Sequence, residues 1–420
     1  MRKEMSRRTF AGISGAALAA TQLSAYQQQA TEKRLFAYVG RHTTGPFFGS
    51  GKGGGINVFR VDMSDGSLTE VSKTGPDLED LNSDGMCTSR DGRFLYSINL
   101  TPALGGKAGA GGGVAAFAIN HEDGSLKHLN TQPSMGANPV SVIIDKTNSR
   151  VVVANHGAVN KIVRIGKRNG VPVVESPTDD ATVALYPVRP DGSLEPACDV
   201  SVFAQRPLSD NSGPGAACHA VTFDRTQRWI IASDNGYDHI YVYPFSPDSR
   251  KLEGRSFPTP PGKAPRHLVA HPRAPYFFMT NEREASVSSF HFDSGNGDVR
   301  PVQTIATVPE GYSGPRVAPS NIRMHPNGKF VYSANRGDDS IAIFSIDEGT
   351  GRMTRVDVVK TGGQGPREMN IEPSGKFLFV CNLQSNDVVT FALDGNTGKM
   401  SQGAKIGVPQ ASVIDFATLP

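Results

Sequence analysis

From Leu35 to the C-terminus, short apolar runs alternate with turns rich in Gly, Pro, Asn and Asp. That pattern predicts many short strands. Four segments superimpose without gaps: Cys218 to Tyr243, Pro265 to Phe290, Pro319 to Phe344 and Pro366 to Phe391. Each opens with an apolar strand such as His267-Leu268-Val269-Ala270 and turns at a sequence such as His325-Pro326-Asn327-Gly328-Lys329. A second strand such as Phe330-Val331-Tyr332-Ser333-Ala334 follows, ending at Asp234, Asn281, Asn335 or Asn382. A third alternating strand comes next, Ile341-Ala342-Ile343-Phe344 in the third copy, and an Asp-Gly or Thr-Gly turn leads into a fourth.

Weaker copies precede these. Arg90-Asp91-Gly92-Arg93-Phe94-Leu95-Tyr96 leads to Asn99, and Val151-Val152-Val153-Ala154 to Asn155. Leu35-Phe36-Ala37-Tyr38-Val39 reads as a second strand that has lost its first, and Ser412-Val413-Ile414-Asp415-Phe416 resembles the missing one. The prediction is an all-β, seven-bladed β-propeller with four-stranded antiparallel blades, its ring closed by the C-terminal strand completing the first blade. Closure removes the sheet edges that an open solenoid would expose. A repeat interval of roughly 50 residues is a propeller period. The one long gap, between Asn155 and Asp234, places an insertion in blade three around Lys161 to Thr182.

The N-terminus changes this picture. Ser6-Arg7-Arg8-Thr9-Phe10 followed by an Ala/Gly-rich apolar stretch to Ala20 reads as a twin-arginine export signal over residues 1–30, too short and too poor in bulky apolar residues to span a bilayer. A single propeller domain over 31–420, periplasmic or secreted, is expected, with the twin-arginine translocase as its partner during export. Arg2, Lys3, Arg7 and Arg8 against Glu4 account for the whole formal charge of +3. The mature chain is therefore about neutral, and neither a nucleic-acid nor a membrane partner is expected. Cys87, Cys198, Cys218 and Cys381 form no CxxC or Cys/His metal pattern and read as free, buried thiols. No EF-hand calcium loop occurs, and neither metal nor cofactor is expected.

The repeat also predicts a site. The residue before strand one and the residue after strand two share a face, so two columns converge on one mouth of the central channel. The first reads Asp84, Val140, His219, Arg266, Ser320, Arg367; the second reads Leu100, His156, Asn235, Glu282, Arg336, Leu383. Within this ring His219, Arg266, Glu282 and Arg336 form the candidate catalytic set, with Arg367, His156, Ser320, Asn235 and His267 as substrate-binding candidates. Two guanidiniums can hold a carboxylate or phosphate, and a carboxylate and an imidazole can move protons near neutrality. An ion-pair network that only ties blades together uses the same residues and stays open at this point.

Pro265-Arg266-His267 with Asn281-Glu282, Asn335-Arg336-Gly337 and His325-Pro326-Asn327-Gly328 resemble the blade signatures of the lactonase, seven-bladed β-propeller family. Tyr38-Val39-Gly40, Gln132-Pro133-Ser134 and Val153-Ala154-Asn155 match it as well, over about Leu35 to Phe416. The family includes bacterial 6-phosphogluconolactonases and fungal carboxy-cis,cis-muconate cyclases. In the cyclase branch the acting groups are a His, two Arg and a Glu at the channel mouth, which by motif fall on His219, Arg266, Glu282 and Arg336. The resemblance implies metal-free opening of a small anionic lactone, with Arg266 and Arg336 binding the anion and polarising the carbonyl and Glu282 or His219 activating water. The alternatives are a muconate-type cyclisation by the same groups, or a non-catalytic propeller that binds a ligand or protein.

The sequence also departs from the family. Pro139-Val140-Ser141 stands where 6-phosphogluconolactonase-like members carry Pro-Cys-His, and Ala216-Ala217-Cys218-His219 where they carry Pro-His-x-His. Asn99-Leu100 replaces Asn-Glu. The losses weigh against a phosphogluconolactone substrate, as does export. The glycine tracts Gly105 to Gly113 and Gly51 to Gly55 lack the Gly-Lys-Ser/Thr order of a phosphate loop and read as mobile loops over the mouth. Trp229 reads as core.

Overall fold

The computed structural model describes residues 33–42, 54–101, 103–107, 109–157, 164–168, 170–175, 179–203 and 215–420. The segment read as an export signal, and Gly51 to Gly53, lie outside them. Seven four-stranded antiparallel sheets follow one another, with one extra hairpin, Arg164–Arg168 paired with Val171–Glu175, in the blade-three insertion. The first strands of blades one to seven are Ala411–Leu419, Met86–Thr88, Pro139–Ile144, Cys218–Phe223, Pro265–Ala270, Ala318–Met324 and Pro366–Ile371. Each packs against the first strands of both neighbouring blades, and the cycle closes around an axis. Blade one joins the two ends of the propeller: Arg34–Arg41 pairs with Ala411–Leu419, with Ala37 opposite Phe416. Seven apolar clusters fill the seven seams between blades, so the core is a ring of interfaces and not a single centre.

The seams show why the Asp-Gly and Thr-Gly turns recur. An aromatic residue at or near the start of strand two of one blade lies against the positive-φ glycine of the next blade's outer turn: Phe36 on Gly124, Phe94 on Gly192, Trp229 on Gly297, Tyr276 on Gly351, Phe330 on Gly398 and Phe377 on Gly66. Trp229 thus sits at a seam, half-buried, with its indole N–H donating to Ser294 O. Two positions further on, the hydroxyls of Tyr38, Tyr96 and Tyr332 donate to the same glycines' carbonyls, at 3.0, 2.9 and 2.9 Å. A Cβ on Gly398 would stand 2.4 Å from the Phe330 ring, at a φ of 74°. Gly398→Ala is therefore expected to cost about 1–3 kcal/mol from combined overpacking and backbone strain. Urea unfolding with an unchanged m-value checks it.

All four cysteines are free: Cys218 and Cys381 are buried, whereas Cys87 and Cys198 are only half-buried. No helix among the described residues is long and apolar enough to cross a membrane.

Candidate active site

Two backbone devices build the channel mouth. The Asn or Asp that ends strand two is enclosed and ties down the turn beyond it. The Asp234 carboxylate accepts from the N–H groups of Ala217, Gly236 and Tyr237, and the Asn281 amide donates to Ser286 and Ser288. The next residue then donates its N–H to the residue just before strand one: His156 to Asn138, Asn235 to Ala217, Glu282 to Ala264 and Leu383 to Gly365. The second device is a β-bulge near the start of strand one in blades three to seven. The extra residue breaks the in-out alternation, so side chains that would straddle the sheet can gather at the axis.

The two columns meet as predicted at Glu282. Its Oε1 pairs with Arg336 Nη2, and its Oε2 accepts from Asn235 Nδ2 at 3.0 Å and lies 3.7 Å from Arg266 Nε. Arg336 Nε also donates to Ala318 O at 3.2 Å, and Arg266 Nη1 to Ser320 O. Arg266 is 1% exposed and its Nε is enclosed without a hydrogen-bond partner, whereas Glu282 and Arg336 keep 24% and 27% of their side chains open. Burial alone would raise the Glu282 carboxyl, but Arg266 and Arg336 together outweigh it and hold the group at about 2. Burial, reinforced by Arg336, draws the Arg266 guanidinium down to about 9.

Three imidazoles line the adjoining side. The His219 ring is 5.4 Å from His156 and 5.3 Å from His267. Burial first, then Arg266 and the neighbouring imidazoles, pushes His219 well below the usual histidine range, so it is neutral at pH 7. His219 Nδ1 is enclosed with no hydrogen-bond partner. His156 Nδ1 is engaged by Gly157 O at 2.9 Å.

Other candidates lie elsewhere in the ring. Ser320 is fully enclosed, and its hydroxyl donates to Pro366 O at 2.7 Å across the seam to blade seven. Arg367 is gripped by Asp84, Nε to Oδ1 at 3.0 Å and Nη2 to Oδ2, and Asp84 also meets His42 Nε2 at 2.8 Å. Beyond the two columns lies a deeper layer made of Asn321, Arg323 and Glu368. The bulges turn the residues after Ser320 and Arg367 toward the axis as well. The available signal was polarity: beyond the mouth, polar Asn321 and Arg323 alternate with Ile322 and Met324, and Glu368 and Asn370 with Met369 and Ile371.

The fold and this mouth define a class of protein, a closed seven-bladed propeller that presents paired guanidiniums, a carboxylate and neutral imidazoles at one end of its channel. Residues 36–416 match the family described as Lactonase, 7-bladed beta-propeller, and the chain belongs to it. It is 30% identical to the 6-phosphogluconolactonase of Bacillus subtilis over 341 residues, covering 80% of this chain and 84% of that one. It is 27% identical to a 6-phosphogluconolactonase of Formosa agariphila, covering 77% and 84%. The solved structure of a periplasmic gluconolactonase from Pseudomonas aeruginosa superimposes with a TM-score of 0.74 at 26% identity, over 92% of this chain and 99% of that one.

Proposed function

We propose that this protein is an exported lactonase that opens a small lactone bearing one anionic group, using side chains alone. The observation that carries the reading is the meeting of Arg266 and Arg336 on one carboxylate beside neutral imidazoles, in a chain whose relatives carry lactonase names. Arg266 and Arg336 meet on the single carboxylate of Glu282, while Arg367 is held separately by Asp84, so at the Glu282 cluster two guanidiniums face one carboxylate. That balance suits a carboxylate or a developing oxyanion better than a phosphate dianion. In this reading the guanidiniums polarise the lactone carbonyl and receive the negative charge of the tetrahedral intermediate. Glu282, held at about 2 and committed to both arginines, orients them and is too weak a base to activate water. A neutral imidazole beside it takes the water's proton. Export by the twin-arginine translocase to the periplasm is supported by Ser6-Arg7-Arg8-Thr9-Phe10 and by the periplasmic relative.

A panel of neutral, carboxylated and phosphorylated lactones, assayed by acid release, tests the proposal. Turnover is expected to be highest with carboxylated lactones and to fall at least ~100-fold in Glu282→Gln, whose arginines lose their common anchor. Absence of turnover across the panel would remove the lactonase reading in favour of a binding propeller.

A further inference from the structure

The two nitrogens of His267 have different surroundings. Nδ1 lies 2.9 Å from the amide nitrogen of Asn321, on the first strand of blade six. An amide NH2 can only donate, so Nδ1 is the acceptor of that bond. The second amide hydrogen goes to Glu368 Oε2 on blade seven, which also lies 3.2 Å from Arg323 Nη2. Turning the Asn321 side chain over would set its carbonyl oxygen against that carboxylate, so the deeper layer fixes which way the amide faces. Glu368 Oε1 stands 3.3 Å from Nδ1 without a hydrogen bond to it. His267 Nε2 makes no hydrogen bond among the described residues. It is not among the enclosed unpartnered atoms either, whereas Nδ1 of His219, on a ring 5.3 Å away, is one of them.

A neutral imidazole has one proton for two nitrogens, and the nitrogen that accepts a hydrogen bond leaves the proton to the other. Burial, with Arg266, Arg323 and Arg367 around it, keeps His267 in that neutral form. Its proton therefore sits on Nε2. The bulge at Pro265/Leu268 takes in both Arg266 and His267, so an N–H without a partner stands on the channel wall beside the guanidinium whose Nε also lacks one. A polar group left unpaired in a largely buried site costs stability until an arriving partner completes it.

Resting on the lactonase reading, we infer that His267 acts as a hydrogen-bond donor and not as a base: Asn321 fixes the proton on Nε2, and that N–H holds the lactone carbonyl oxygen alongside Arg266. As the water oxygen bonds to the carbonyl carbon, its proton passes to another neutral imidazole of the mouth, and the carbonyl electron pair moves onto the oxygen held by Nε2–H and the guanidiniums. Return of that pair breaks the ring C–O bond, and the departing alkoxide takes the proton back from the imidazole that received it. The product acid loses its own proton to solvent. The Nε2 proton of His267 is transferred at no step; the imidazole is a neutral electrophile in a preorganised oxyanion site. Asn321 touches no reacting atom and is a positioning residue for His267.

The test uses the mature full-length chain at pH 8. Burial raises the Glu368 carboxyl against the pull of Arg323 and Arg266, to about 7, so at that pH its ionised form predominates and holds the Asn321 amide. ¹⁵N shifts of His267, recorded without substrate, should show a protonated Nε2 and a bare Nδ1. On the best substrate of the lactone panel, His267→Ala should lower kcat about 100-fold with KM changed less than about threefold, as for a donor used mainly in the transition state. His267→Gln retains an N–H donor and cannot serve as a base, so it should recover at least about tenfold of that loss. In Asn321→Leu the His267 proton should shift toward Nδ1, which then faces only the Glu368 carboxylate, and kcat should fall with it. A wild-type His267 protonated on Nδ1, or His267→Gln no more active than His267→Ala, overturns the inference, and neither result depends on how Asn321→Leu folds. An Nε2 proton that Asn321→Leu displaces, with no lactone turned over by the wild type, supports the fixed donor while sinking the lactonase reading, so the two failures are separable.

Discussion

Arg266→Ala is expected to lower kcat/KM for lactone opening by at least about 100-fold while leaving the propeller folded. The magnitude follows from removing a preorganised charge-assisted donor at the position where negative charge develops. In the proposed reading Arg266 is that donor: the side chain is enclosed, Nη1 is fixed by Ser320 O, and Nε lies 3.7 Å from Glu282 Oε2 without a hydrogen bond of its own. A donor held in place and incompletely used suits an arriving oxyanion. If the residue served only to tie blades five and six together, truncation would cost stability and leave turnover per folded molecule unchanged. Burst-free steady-state rates normalised to folded protein, with near-ultraviolet circular dichroism on the same samples, distinguish the two. Arg266→Lys serves as the second variant: it keeps charge and much of the bulk but loses the fork, and it should recover stability far better than activity. Unchanged kcat/KM in both variants would end the assignment of Arg266 to the chemistry.

The architecture was legible because each repeat carries its own punctuation. The Asn or Asp ending strand two, the Gly of the outer turn and the aromatic residue that packs on it recur in register, and every one of them has a local task in the folded chain. The pairing of the chain ends could be read from complementarity alone, since Leu35 to Val39 lacked an inner neighbour and Ser412 to Phe416 lacked an outer one. The meeting of Arg266, Glu282, Arg336 and Asn235 could also be read, because these residues occupy equivalent positions in adjacent blades.

Alternation failed one residue further in. A strand of period two sends consecutive side chains to opposite faces, and on that rule His267 and Glu368 should not share a space with Arg266 and Arg367. The bulges at Pro265/Leu268 and Pro366/Glu368 break the rule. No turn residue announces them, so the polar residues of these strands are visible in the sequence but their gathering at the axis emerges only with the backbone. The same cause explains Ser320, whose place in the column suggested a mouth residue but whose hydroxyl closes a seam.

Ending the chain at Gln410 is expected to abolish the folded state, the largest single effect the structure implies. Residues Ala411–Leu419 supply the whole first strand of blade one, pairing with Arg34–Arg41 along its length. Val413, Ile414, Phe416, Ala417 and Leu419 are each no more than 5% exposed and belong to the clusters on both sides of that blade. At about 1.5–3 kcal/mol for each large apolar side chain, the loss is roughly 6–12 kcal/mol, the size of a typical domain's whole stability. The strand also binds forward into blade two, where Asp415 Oδ2 accepts from Thr88 N at 2.7 Å and Phe416 O from the Thr88 hydroxyl at 2.7 Å. Its removal therefore opens two seams at once and exposes the edge of Arg34–Arg41, inviting edge-to-edge association. Thermal unfolding followed by far-ultraviolet circular dichroism, with light scattering, checks this. A cooperative transition within about 5 °C of the full-length protein would show that the ring does not depend on its closing strand.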